Sequence, residues 1–224
     1  MSSILILLNF EKSFLITELN FISTSRIVTL DYISLIFTIF CIFALYNAFN
    51  FIDGVNGAAT SIILFWIFFL ITKKFNYIYL SLLITFLIIF VFNLKGKLFL
   101  GNSGTSIISI LFSIFLINDY NLGLIFADEI MFLLFFPGLD MIRVTLFRIS
   151  KNKKIYDADK THFHHYLLNY TKNYVWLVIL LLTILPLIIL YISSNIIITI
   201  FLSTTIYFIL LKLINKKQID EVKT

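Results

Sequence analysis

The sequence predicts an all-α fold, a polytopic helical membrane protein of about seven transmembrane helices. Three observations lead there. Of its 224 residues, 60% are hydrophobic and 13% charged, whereas a soluble domain carries about 45–50% apolar and about 25% charged residues. The mean hydropathy is +1.02. Only two Pro and seven Gly are present, which excludes a collagen-like or linker-rich chain. The same figures exclude an ordinary globular domain, a disordered tail and a disulfide scaffold. Cys41 stands alone in an apolar run, so no intrachain disulfide can form.

A spanning helix needs about 20 mostly apolar residues. Residues 1–30 do not supply one. Ser3–Phe10 is apolar but too short and is stopped by Glu11 and Lys12, while Phe14–Ile22 is interrupted by Glu18. This stretch is read as the end of a span or an interfacial hairpin. It lacks the basic n-region and small-residue cleavage site of a signal peptide. Seven apolar runs follow, at 32–50, 57–72, 76–94, 104–118, 129–148, 174–193 and 196–214. The organisation is then a segment 1–30, a transmembrane domain 31–214 with loops at 51–56, 95–103 and 149–173, and a tail 215–224.

Counting alternate connections gives the sidedness. One side carries Lys95, Lys97, Arg143, Arg148, Lys151, Lys153, Lys154, Lys160, Lys172, Lys212, Lys216, Lys217 and Lys223. The other carries Lys12, Arg26, Lys73 and Lys74. The positive-inside rule places the first set in the cytoplasm. The chain is therefore expected to be a multi-pass protein of the cell inner (cytoplasmic) membrane, with its polar loops cytoplasmic.

Every polar cluster falls on that side. At the first junction Asn47, Asn50, Asp53 and Asn56 recur every third residue, and side chains at that spacing share a helix face. Gly54 and Gly57 permit close backbone approach or a helix break. The plainer reading is a hydrophilic turn. Next, Gly101-Asn102-Ser103-Gly104-Thr105 opens the fourth span, and a glycine-rich helix start suits a phosphate, although such turns also begin ordinary helices. Near the end of the fifth span, Pro137-Gly-Leu-Asp140 precedes Arg143. Ionisable groups in a span face a site or a partner, and Asp140 and Arg143 could simply pair. The last cluster, Asp157-Ala-Asp159-Lys160-Thr-His162-Phe-His164-His165, holds all three histidines. Set among basic residues, they point to a metal or polyanion site; the bland alternative is a solvated basic loop. Together the clusters suggest a cytosolic-face site for a phosphorylated, metal-bound substrate, with a second substrate drawn from the bilayer.

In order and spacing, Asn47–Gly57, Phe99–Thr105, Pro137–Asp140 and Asp159–His165 resemble the motifs of the polyprenyl-phosphate N-acetylhexosamine-1-phosphate transferases. That family includes the phospho-MurNAc-pentapeptide transferase and the GlcNAc-1-phosphate transferases, and the Asp-x-x-His-x-His-His form is similar to the second branch. The resemblance implies Mg²⁺-dependent transfer (with Mn²⁺ as the alternative ion) of a sugar 1-phosphate from a UDP-N-acetylhexosamine to polyprenyl phosphate, releasing UMP. It implies no nucleic acid and is compatible with a homodimer. By the resemblance Asn47, Asp53 and Asn102 would serve the metal. Asp53, Asn56, Asp140, Asp159, His162, His164 and His165 would be catalytic, the histidines with Asp159 binding the diphosphate. Asn50, Gly101, Ser103, Arg143 and Lys160 would bind substrate.

The sequence departs from the family pattern in three places. An early Asp-Asp pair has no counterpart, Asn102 stands where the family has a magnesium-binding Asp, and Asn56 replaces a second acidic residue. Seven spans instead of ten or eleven fit the C-terminal two-thirds of such a transferase. The alternative class is a catalytically silent homologue acting as a lipid-sugar-binding or partner subunit. A small transporter ranks last, because the polar groups gather at one face instead of the bilayer midplane.

Overall fold

A computed structural model of the chain describes residues 14–152, 154, 161–171 and 174–223, the side chains of 169 and 215–223 excepted. Two short strands, β1 (Glu18–Asn20) and β2 (Ile27–Thr29), pair antiparallel with Glu18 opposite Thr29. After a single 3-10 turn at Asp31–Ile33 the chain is helical: α1 (Ser34–Ile52), α2 (Ala58–Lys73), α3 (Tyr77–Leu94), α4 (Gly101–Asn121), α5 (Ala127–Leu133), α6 (Phe135–Ser150), α7 (Phe163–Thr171), α8 (Val175–Ser193) and α9 (Ile196–Lys223). The fold is that of a polytopic helical membrane protein. Among the described residues five segments are long and apolar enough to span on their own, namely Asp31–Ile52, α3, α4, α8 and Ile196–Ile214, and the bent pair α5–α6 makes six if counted as one span. The predicted run 57–72 is the 16-residue α2, about 24 Å long at 1.5 Å per residue and short of a full hydrocarbon core of about 30 Å. The tail after 214 continues α9 as far as Lys223.

The run 129–148, expected as one span, is broken. α5 and α6 meet at Leu134 with a 62° bend. Pro137 has no backbone N–H and so cannot donate to the Leu133 carbonyl one turn back. Trp66 of α2 supplies the missing donor, its Nε1 lying 3.3 Å from that carbonyl. Trp66 itself is fully buried, with its ring 5.6 Å from Phe49 and 5.5 Å from Phe112, so the break is anchored in the centre of the apolar core. In a bilayer a freed carbonyl must find a donor within the protein. Trp66→Phe should keep most of the packing yet lower stability by about 1–3 kcal/mol, read as a lower thermal midpoint in detergent. An unchanged midpoint would show the indole N–H to be dispensable.

The end of the bundle that bears the hairpin is tied by buried carboxylates. Asp128 accepts from Ile22 N and Ser23 N at the hairpin tip (3.1 and 3.0 Å). Tyr120 donates to the Glu18 carbonyl (2.8 Å) and accepts from Asn20 N (2.7 Å). Glu129, fully buried, caps the start of α5 through Phe126 N (2.9 Å) and also accepts from Lys73 of α2 and Tyr191 of α8. With that end fixed, the opposite end of the bundle gathers the motifs.

Candidate active site

The site forms where the end of α1, the start of α4, the second half of α6 and the start of α7 meet. α1 ends at Ile52, and Asp53 follows immediately as its C-terminal cap. Its Oδ2 accepts from Gly101 N at 3.0 Å, across 48 residues of chain. One turn earlier Asn50 Oδ1 accepts from Thr105 Oγ1 at 3.1 Å. These two bonds dock the first junction on the first turn of α4, where Gly101, Asn102 and Ser103 are exposed. Asn47 lies three residues before Asn50, and its Nδ2 donates to Phe43 O of its own helix at 2.8 Å. Asn56 diverges from the others: a Cβ on Gly96 would meet its Nδ2 at 3.3 Å, so it packs on the α3–α4 turn.

The turn between α1 and α2 is held by a residue the motifs do not contain. Asn93, buried at the end of α3, accepts from Gly57 N (2.6 Å) and Thr60 Oγ1 (3.2 Å) and donates to Leu98 O (2.7 Å). One side chain thus fixes both loops that carry the site. Gly57 has φ +81°, and a Cβ there would lie 2.5 Å from Leu94 Cδ2 and 2.9 Å from Trp176 Cβ, so both backbone and space require glycine. Asn93→Leu should lower stability by about 1–3 kcal/mol, because Gly57 N–H would be left buried without an acceptor. It should also slow any reaction at the site, as a turnover assay beside a melting curve would show; a stable, fully active variant would remove Asn93 from this role.

The histidine loop packs against this turn. A Cβ on Gly54 would sit 2.5 Å from His164 Nε2, so the imidazole rests directly on the Gly54 backbone. His162 stacks on His164 with centroids 5.5 Å apart and planes 6° apart, and lies 5.0 Å from the Phe51 ring. His164 and His165 rings are 4.3 Å apart, and the Arg148 guanidinium lies over Phe51 at 5.8 Å. His162 and His164 are buried, at 4% and 2% exposure, while His165 is half-buried. Asp159 and Lys160 lie outside the described residues.

Asp140 orders the start of the histidine loop. Its Oδ1 accepts from Arg143 Nη2 (2.7 Å) and Tyr207 Oη (2.6 Å), its Oδ2 faces His162 Nδ1 at 3.0 Å, and Phe163 N donates to the same carboxylate at 3.2 Å. Arg143 also donates to Tyr207 Oη (2.6 Å) and the Thr161 carbonyl (2.6 Å). The pairing of Asp140 with Arg143, open from the sequence, therefore forms. Four donor groups occupy a carboxylate with about four lone-pair positions, which leaves its oxygens committed to the protein.

Two groups outside the spans have shifted acidity. Burial pushes the Asp53 carboxyl up to about 6, against the opposing effect of the Gly101 N–H. His164 is pushed down to about 3, first by burial and then by the neighbouring His165, so its imidazole is neutral across the physiological range. Its Nε2 is buried and has no hydrogen-bond partner. Among the described residues Asp53 has a single hydrogen-bond donor in Gly101 N, and Asn50 lies one turn before it, an oxygen donor set of the kind a divalent cation such as Mg²⁺ takes when waters and phosphates are its other ligands. It does not form a protein cage, since among the described residues no three His, Cys, Asp or Glu side chains converge.

Fold and site together define a helical membrane protein with a one-ended polar site assembled from loops far apart in sequence. The model of glycosyl transferase family 4 matches residues 1–119, and the chain belongs to that family. The match takes in the Asn47–Gly57 and Gly101–Thr105 clusters and stops before the histidine loop. No curated protein and no solved structure matches the chain. Membership makes it a transferase by class, in a family of phospho-sugar transfer from nucleotide sugars to polyprenyl phosphates.

Proposed function

We propose that this site transfers an N-acetylhexosamine 1-phosphate from a UDP-sugar to polyprenyl phosphate, as a first membrane step of cell-envelope polysaccharide synthesis on the cytoplasmic face of the inner membrane. The observation that carries the reading is the convergence of Asp53, Gly101 and His164, from the ends of three separate helices, at one end of the bundle.

In this reading a phosphate oxygen of the lipid attacks the sugar-bearing phosphorus of the UDP-sugar. The bond to the bridging oxygen breaks, and UMP leaves with that oxygen. A phosphate monoester has a second pKa of about 6, so the acceptor is already ionised near neutral pH and needs no strong base. The requirement is orientation of two anions and neutralisation of charge at the transferring phosphorus. Asp53, with the amide oxygens of Asn50, Asn47 and Asn102, would hold Mg²⁺ (or Mn²⁺), which when bound neutralises phosphate charge. The exposed first turn of α4, whose Gly101 N–H is held by Asp53, would bring its helix dipole and Ser103 to a phosphate. His165, half-buried where His162 and His164 are buried, would touch the diphosphate. His162 and His164 form the buried layer that sets its position, and Arg143 acts on Asp140 and the loop instead of on substrate. Asn56 supports the neighbouring turn.

The test is transfer of labelled sugar phosphate from UDP-N-acetylhexosamines to undecaprenyl phosphate by the protein purified from membranes, with and without EDTA. Lipid-linked product that disappears with EDTA is expected. A protein that binds sugar nucleotide yet releases no UMP would instead support the silent-homologue reading, which the presence of Asn at 102 favours.

A further inference from the structure

Tyr207 lies on α9, outside every motif, at 2% exposure. Its ring packs against Phe163 at 5.2 Å, Phe208 at 5.2 Å and Phe136 at 6.0 Å. A phenylalanine would fill this aromatic nest equally well. The hydroxyl is what distinguishes the residue, and in an apolar span such a group persists only with a partner. Its partners are the two charged groups that order the histidine loop: it donates to Asp140 Oδ1 and accepts from Arg143 Nε, both at 2.6 Å.

We propose that Tyr207 is a positioning residue of the site, its hydroxyl clamping Asp140 so that the carboxylate holds the His162 ring and the first residues of α7. Arg143, one turn along the same helix, and Tyr207, from a different helix, grip Oδ1 from two directions. The carboxylate therefore cannot swing about its own axis, and Oδ2 stays aimed at His162 Nδ1 and near Phe163 N. An ionised carboxylate only accepts hydrogen bonds, so the proton between the two groups sits on His162 Nδ1, which donates to Oδ2 and fixes the plane of the ring. Orientation of a histidine through its second nitrogen is the usual way an outer group tunes a functional ring. The His162 ring then supports His164 by stacking, and His164 rests on Gly54. This chain of contacts links α9 to the Asp53 turn without Tyr207 touching substrate.

The activity arm of the test rests on the transferase reading above; the spectroscopic arm does not. The variant is Tyr207→Phe, measured beside wild type, His162→Ala and the double variant. On transfer, Tyr207→Phe should lose about 10- to 100-fold in kcat, the range for outer groups that orient a functional ligand, with KM for the sugar nucleotide little changed. The double variant should be no slower than His162→Ala alone, because the two residues act as one unit. In protein carrying ¹⁵N-histidine, wild type should show a deshielded Nδ1–H for His162, identified by its loss in His162→Ala. That signal should broaden or vanish in Tyr207→Phe. Asp140→Asn serves as a second variant if Tyr207→Phe does not fold, and should lose the same signal. A Tyr207→Phe protein with wild-type kcat and an unaltered His162 spectrum would overturn the proposal, as would multiplicative loss in the double variant. If wild type transfers no sugar phosphate the transferase reading fails, and the His162 spectrum alone decides the role of Tyr207.

Discussion

Gly54→Ala is expected to reduce sugar-phosphate transfer by about a hundredfold or more. The added Cβ would lie 2.5 Å from His164 Nε2, closer than non-bonded atoms approach, and 3.3 Å from two ring carbons. The imidazole cannot retreat freely, because it is buried and packed between His162 and His165. Either the ring or the Asp53 turn must shift, and a displacement of about 1 Å at reacting groups costs on the order of 100-fold in rate. Overpacking should cost only about 1–3 kcal/mol of stability, and the spanning helices should remain inserted. Turnover measured beside a melting curve separates the two effects. A Gly54→Ala protein that turns over like wild type would mean that His164 has no part in the reaction.

Asp53→Asn should abolish metal-dependent transfer and, in metal-free protein, raise stability at neutral pH. The sign follows from the direction of the shift. The folded-state pKa of Asp53 lies near 6, above the ordinary 3.8, so the folded protein binds this proton more tightly than the unfolded chain does. Stability contributed by the neutral carboxyl is present below pH 3.8 and is lost as pH rises through 6. Asparagine stays neutral and still offers an oxygen to Gly101 N–H. The variant should therefore gain most at pH 7–8, less near pH 5, and nothing below pH 4. Because the position is only half-buried, the gain is discounted to roughly 1 kcal/mol. Magnesium should reverse the order by stabilising wild type alone. Melting curves across pH, with Mg²⁺ and with EDTA, check this; a variant that is less stable than wild type in EDTA at pH 7.5 would contradict it. A gain in stability on neutralising a functional carboxylate is the ordinary trade between site and scaffold.

The apolar segments were legible because a bilayer imposes one demand on every spanning helix, an unbroken run of apolar residues. That demand also explains why the bend could not be foreseen. A run such as 129–148 satisfies it whether straight or bent, so nothing in the composition separates one helix from α5 and α6. Pro137 was visible as part of a motif, but its effect as a break depends on Trp66, 71 residues away in sequence, accepting the role of donor. A hairpin was one of two readings of residues 1–30, but three-residue strands carry too short a pattern to fix their register, and they are held by Asp128 and Tyr120. Among site residues, Asn50, Asp53, Gly101 and the histidines carried a signal because polar groups at the ends of apolar runs stand out. Asn93 carried a weaker one, as a lone amide two residues before Lys95. Tyr207 carried none, since one tyrosine among many aromatics in a span looks like packing.

The sequence by itself determined that this chain is a helical membrane protein with its chemistry-bearing residues at the ends of its apolar segments, because hydrocarbon excludes such residues from everywhere else. It also determined the family, through residue types in fixed local order. Only the tertiary structure decided which of those residues meet. Docking of Gly101 on Asp53, burial of His162 and His164, diversion of Asn56 to the Gly96 turn and commitment of Asp140 to Tyr207 and His162 all depend on contacts across tens of residues. Local spacing sets which side chains share one helix face. The partner each face finds is set by packing of whole helices, which no short stretch of sequence encodes.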